Sequence, residues 1–116
     1  DSNRRILAAD GAANVPYITF AADTNTGLYR PGTDILGFST AGSERARIDA
    51  SGHVGIRTTP SAWGTAYGVL DLNTGGSIYG TTSGVSTASN LYFTGSAWLT
   101  KSTGLGCASL LLVQWL

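Results

Sequence analysis

The sequence predicts an all-β protein, and three observations carry that expectation. Short runs alternate apolar and polar residues with a period of two. No stretch sustains a helical period behind a capping residue. The separators are Asn-Thr-Gly, Ser-Gly, Thr-Gly and Gly-Gly, the chemistry of tight turns.

The elements follow in order along the chain. "YITFA" (17–21) sets Ile18 and Phe20 against Tyr17 and Thr19, which is expected to lie on an outer face. "GLYR" and "DILGFS" flank "PGTD" (31–34), a turn in which Pro31 fixes φ and Gly32 permits φ > 0. "SERARIDA" (43–50) contains good helix formers behind a Ser that could cap them. Yet Arg45, Arg47 and Asp49 fall on one side of a period-two pattern, with Ala46, Ile48 and Ala50 on the other. A strand is therefore expected, with Ala46, Ile48 and Ala50 facing inward and Arg45 and Arg47 facing solvent or a neighbouring chain. The turn "ASGH" ends it, and "HVGIR", "YGVLDL", "GSIYG", "NLYFT" and "AWLTK" complete the set. Gly37, Gly55 and Gly68 inside strands imply close backbone approach.

Two organisational features stand beside the strands. "DTNTGLY" (23–29) and "DLNTGGSIY" (71–79) run alike from an Asp to an aliphatic-Tyr pair, a faint internal echo. A boundary is expected near Thr58–Gly64, dividing a segment 1–60 from a second β-rich segment 61–116.

Composition limits how such a chain can be stable. Of its 116 residues, 42% are apolar, but 14 of those are alanine. A domain of this length must bury roughly two thirds of its unfolded surface to stand alone. Formal net charge is zero, and the 12% of charged residues is about half the globular norm of ~25%. After Arg57 only Asp71 and Lys101 carry charge. A free surface so poor in charge tends to aggregate, so the chain is expected to be either a truncated fragment or a surface covered by copies of itself. No basic balance points to nucleic acid, and no polybasic segment points to an anionic membrane. The longest apolar run, Leu110–Val113, is far below the ~20 residues of a membrane helix. Cys107 stands alone and reads as a small buried apolar residue. The chain begins without Met and ends on "CASLLLVQWL", so both ends are expected to be cuts in something longer.

The stretch "PYITFAADTNTGLYRPGTDILGFSTAGSERARIDASGHVGIRTTPSA", spanning about residues 15–62, resembles the shaft segments of tailed-bacteriophage tail fibres and related virion appendages. "GSAWLTKSTG" (95–104) resembles another element of such fibres. Two positions depart from the family pattern, which favours Asn where this chain has His53 and Gly where it has Arg57. The resemblance implies an elongated, intertwined homotrimer of the β-prism or triple-β-helix kind. Three copies would complete a core that one small hairpin cannot. It implies a structural role in the virion, projecting and positioning host-receptor recognition outside the cell, with other tail or baseplate proteins as partners.

Residues capable of chemistry are sparse, and neither catalysis nor a cofactor is expected. His53 could pair with Asp49 across a turn, but the plainer expectation is a solvent-exposed turn residue with no nucleophile near it. Three copies of His53 could meet on a threefold axis, but the partner position is Gly55, so no metal is assigned. "NTGG" leads to neither a helix nor a Lys, which leaves no phosphate cradle. Arg30, Arg45, Arg47 and Arg57 have matching carboxylates, and interchain salt bridges are their expected use. Trp63, Tyr67, Tyr79, Tyr92 and Trp98 occupy the nearly chargeless half. They are candidates for stacking on host surface polysaccharide, against the favoured alternative that they fill a core between copies.

Overall fold

The computed structural model describes residues 4–101 together with the backbone of 109–112, and no helix occurs among them. The strands are β1 (Ile18–Phe20), β2 (Asp23–Gly32), β3 (Ile35–Thr40), β4 (Ser43–Ile48), β5 (Val54–Ile56) and β6 (Gly68–Leu72). They continue as β7 (Gly76–Thr81), β8 (Gly84–Ser89), β9 (Leu91–Phe93), β10 (Trp98–Thr100) and β11 (Ser109–Leu112). The all-β expectation is met. Cys107 lies outside the described residues.

The chain forms two compact units, one ending at Arg45 and one starting at Ala46. Thr58–Gly64 lies within the second, in the connection from β5 to β6.

In the first unit, β1 pairs antiparallel with β2, and β2 with β3. Register places Ile18, Leu28 and Phe38 in one cross-strand row. Tyr29 sits opposite Gly37, and its ring occupies the space a side chain there would need: an added Cβ would lie 2.6 Å from Cε1. The phenol reaches on to donate to Glu44. The β2–β3 turn corrects the expected "PGTD" geometry. Pro31 and Gly32 belong to β2, Gly32 pairs with Ile35, and the left-handed residue is Asp34 at φ 60°. The β3–β4 turn consists of Ala41 and Gly42, at φ 50° and 73°, and a two-residue link with both φ positive matches the twist of a hairpin.

In the second unit the strand order is β4-β5-β6-β7-β8-β11, with β9 and β10 forming a separate two-stranded sheet. All neighbours are antiparallel except β5 and β6, which run parallel. Asp49 builds the β4–β5 turn, its carboxylate accepting from the Ser51 and His53 N–H groups at 2.9 Å each. Strand character at Ser43–Ile48 is as the alternation predicts. The echo between residues 23–29 and 71–79 is not structural: the first copy lies inside β2, whereas the second rounds the β6–β7 turn. Gly55 has the Thr58 carbonyl against it, as close approach predicts, but Gly68 has nothing within 4 Å.

Candidate interaction surface

Pairing register divides the second unit's sheet into two faces of different character. Val69 sits opposite Tyr79, Asp71 opposite Ser77, and Ser77 opposite Ala88, so these five side chains share one face. All five are buried within a single chain. The 57–67 connection and the β9–β10 hairpin supply the cover, joined where the Gly64 N–H donates to the Phe93 carbonyl at 2.7 Å.

Aromatic rings make the core of this covered face. Trp63 lies 4.9 Å from Tyr79 between centroids, 6.3 Å from Tyr92 and 6.2 Å edge-on to Trp98. Tyr67 meets Tyr79 at 6.1 Å and Phe93 at 5.7 Å, both edge to face. Such offset and edge contacts suit the ring quadrupoles and add ~0.5–1.5 kcal/mol per pair beyond burial. All five aromatic candidates thus come together within one chain. Trp63 and Tyr79 are buried, Tyr67 and Tyr92 half-buried, and only Trp98 is exposed.

A charged pair is embedded in the same core. Lys101 Nζ stands 2.6 Å from Asp71 Oδ1, with the two side chains 4% and 1% exposed. Asp71 also accepts from the Ser77 hydroxyl at 2.6 Å, the Ser61 N–H at 2.8 Å and the Trp63 indole N–H at 3.1 Å. Lys101 donates further to the Gly76 carbonyl at 3.3 Å. Burial pushes the Asp71 carboxyl up, but the hydrogen bonds from Lys101, Ser61 and Ser77 outweigh it and hold the group below its ordinary value. Sequence reasoning noted Asp71 and Lys101 only as the two charges after Arg57. Two opposite charges alone in a neutral stretch were the available signal for a pair.

The opposite face of the same sheet has no such cover. Ile48 pairs with Val54, Val54 with Leu70, and Leu70 with Ile78, making one apolar row across four strands. Ala46, Ile56 and Leu72 form a second row beside it. Ile48, Ile56, Leu72 and Ile78 are each 37–40% exposed, and Val85 on β8 is 61% exposed. The inward direction expected for β4 is not met: Ala50 is an exposed turn residue beyond the strand, and Arg47, opposite Gly55, lies on the face that carries Asp71, while Ala46 and Ile48 share the apolar face as the alternation predicts. Ile48 nevertheless remains uncovered within one chain. The first unit repeats the pattern, with Ile18, Phe20, Leu36 and Phe38 exposed.

Other predicted sites resolve differently. His53 is 1% exposed, not a solvent-facing turn residue, and its Nε2 has no hydrogen-bond partner. Its Nδ1 is 3.9 Å from Asp49 Oδ2. So deeply buried within its own chain, it is not placed to meet its copies on an axis. Among the described residues no group of three or more His, Cys, Asp or Glu could hold a metal ion. Arg30 forms its ion pair within the chain, to Asp10, and Arg45 donates to the Thr40 hydroxyl at 2.9 Å. Arg57 takes a left-handed φ of 58°. No helix among the described residues is long and apolar enough to cross a membrane.

No protein-family model, curated protein or solved structure matches the chain.

Proposed function

We propose that this chain is a structural shaft segment of a homotrimeric tail fibre of a tailed bacteriophage, carried on the virion and acting outside the host cell. It projects and positions receptor recognition, and it works with two further copies of itself and with neighbouring tail or baseplate proteins. The resemblance of residues 15–62 supplies the class. The observation that carries the reading is the uncovered apolar row Ile48–Val54–Leu70–Ile78, on a sheet whose other face is already sealed by the aromatic core. Fully burying one Ile or Leu side chain contributes ~1.5–3 kcal/mol, and the 37–39% of Ile48 and Ile78 still exposed leaves part of that to be gained between copies. A row of four, presented by each of three copies to a common axis, provides a core that one hairpin lacks. The mechanism is mechanical: a closed trimer stiffens the shaft, and whatever binding it presents is multiplied by three. Electron micrographs of the purified assembly test this, with rods of uniform width expected and compact single globules against it.

A second reading, direct binding of host polysaccharide, draws on Trp98, which is 41% exposed at the edge of the ring cluster beside the equally exposed Leu99. A glycan array separates the two. Retention that disappears in Trp98→Ala favours the binding module, and no retention favours the shaft.

A further inference from the structure

The first unit carries an apolar pocket and, on the same chain, an apolar segment with nowhere to go. Residues 4–11 run without regular structure and are tied to the sheet at Asp10. Arg30 grips that point three times. Its N–H donates to the Asp10 carbonyl at 2.8 Å, Nε to Oδ1 at 2.7 Å and Nη2 to Oδ2 at 2.9 Å. Ahead of the tie, Ile6 is 92% and Leu7 81% exposed, so neither packs on its own chain. Ala8 and Ala9, between this segment and the tie, join Tyr17, Ile18, Leu28 and Leu36 in lining a pocket of about 190 Å³, with Tyr29 and the Asp10–Arg30 pair completing its wall.

The pocket's chemistry selects its occupant. The lining is almost wholly apolar, and the two wall charges already neutralise one another. A charged ligand would find no partner there. The volume somewhat exceeds the ~150 Å³ of an apolar cavity that accepts benzene, the scale of a branched aliphatic side chain. We infer that the pocket receives the Ile6–Leu7 segment of a second copy of this chain. The same polypeptide supplies both parts in equal number, and although Ala8 and Ala9 line their own chain's pocket, Ile6 and Leu7 just ahead of them stay exposed and do not fill it. A head-to-tail contact of this kind closes into a ring when the rotation between copies permits, and each copy then gives one arm and receives one. The inference rests on the trimeric reading above, and it adds a contact separate from the apolar sheet face.

The test is disulfide trapping in a Cys107→Ser background. Leu7→Cys combined with Leu36→Cys, oxidised at neutral pH, is expected to give covalent dimers and trimers on a non-reducing gel, absent from either single variant. Leu7→Cys with Tyr17→Cys repeats the experiment from another pocket wall, should the first pair misfold. A chain that is trimeric by light scattering but shows no cross-link in either pair overturns the arm contact and leaves the trimer standing. Cross-linking only within one chain overturns it equally. A small apolar molecule held in the pocket, detected as a mass adduct under native conditions, assigns the pocket to a ligand and overturns it too. A folded single chain removes both readings.

Discussion

Asp71 and Lys101, thirty residues apart in sequence, meet at 2.6 Å with both side chains buried, the ammonium facing the Trp63 ring. The pair joins β6 to the end of the β9–β10 hairpin, the element that covers the aromatic core. Taking two charges out of water is costly, and only good geometry with further hydrogen bonds offsets it. Here each of the two groups has additional partners.

Removing one partner should therefore hurt more than removing both. Lys101→Met is expected to lose about 3–5 kcal/mol of unfolding free energy, because Asp71 is left as a buried uncompensated charge. The double variant Asp71→Asn/Lys101→Met removes both charges while the amide oxygen still accepts from Ser77 and Trp63, and it should recover part of that loss. Denaturant titration of the three proteins checks the order; equal losses in the single and double variants would mean that the pair is not coupled.

The same pair makes stability depend on pH in a definite sense. The Asp71 carboxyl is held below its ordinary value of 3.8 in the folded chain, so its contribution is fully present above that value. It is lost as pH falls through the folded value. Midpoints of unfolding should be flat from neutrality to about pH 5 and fall below about pH 4. In Asp71→Asn, less stable throughout, the acid-side slope should be shallower. An unchanged slope would assign the acid sensitivity elsewhere.

Ile48→Asp places a carboxylate on the uncovered apolar row. In a free single chain the change would cost about 1–2 kcal/mol in strand propensity and lost apolar contact. In a trimer three carboxylates gather near one axis, assembly should fail at neutral pH, and low pH should partly restore it by neutralising them. Thr82→Asp, exposed in the β7–β8 turn, is the matched control and should assemble normally. Thr19, expected on an outer face, is a poor control. Its hydroxyl contacts the Asp23 and Thr26 carbonyls at 3.0 and 2.8 Å, and a carboxylate there would meet acceptors only.

Arg57→Gly should be neutral to mildly stabilising. The residue holds φ 58°, where a side chain costs ~1–2 kcal/mol and glycine costs nothing, while glycine's freer unfolded chain takes back ~0.5–1 kcal/mol. Thermal unfolding reads the difference, and a marked loss of stability would show that the guanidinium makes a contact worth more than the strain.

The strands with alternating side chains were legible because one residue in two shows the face: Arg45 and Arg47 against Ala46 and Ile48 define β4 without any tertiary information. β8 was not legible. "GVSTAS" is small and polar, and its strand character comes from pairing with β7, Tyr79 against Ser86 and Ser77 against Ala88. The parallel pairing of β5 with β6 likewise depends on how residues 57–67 cross over, which no local pattern encodes. The aromatic candidates were visible as residues but not as one cluster, because their meeting requires Trp63 to fold over β7 while β9 and β10 close from a later segment. His53 was misplaced because turn chemistry predicts where a backbone bends, not which side chain folds back beneath it.

The central claim is that the apolar face is covered by copies of this chain, and the mass of the purified protein in solution tests it most directly. Light scattering over a range of dilutions is expected to give three times the 12.0 kDa of one chain, with unfolding and dissociation in a single transition. A monodisperse, folded species of 12.0 kDa, stable on dilution with Ile48 and Ile78 left in water, would contradict it.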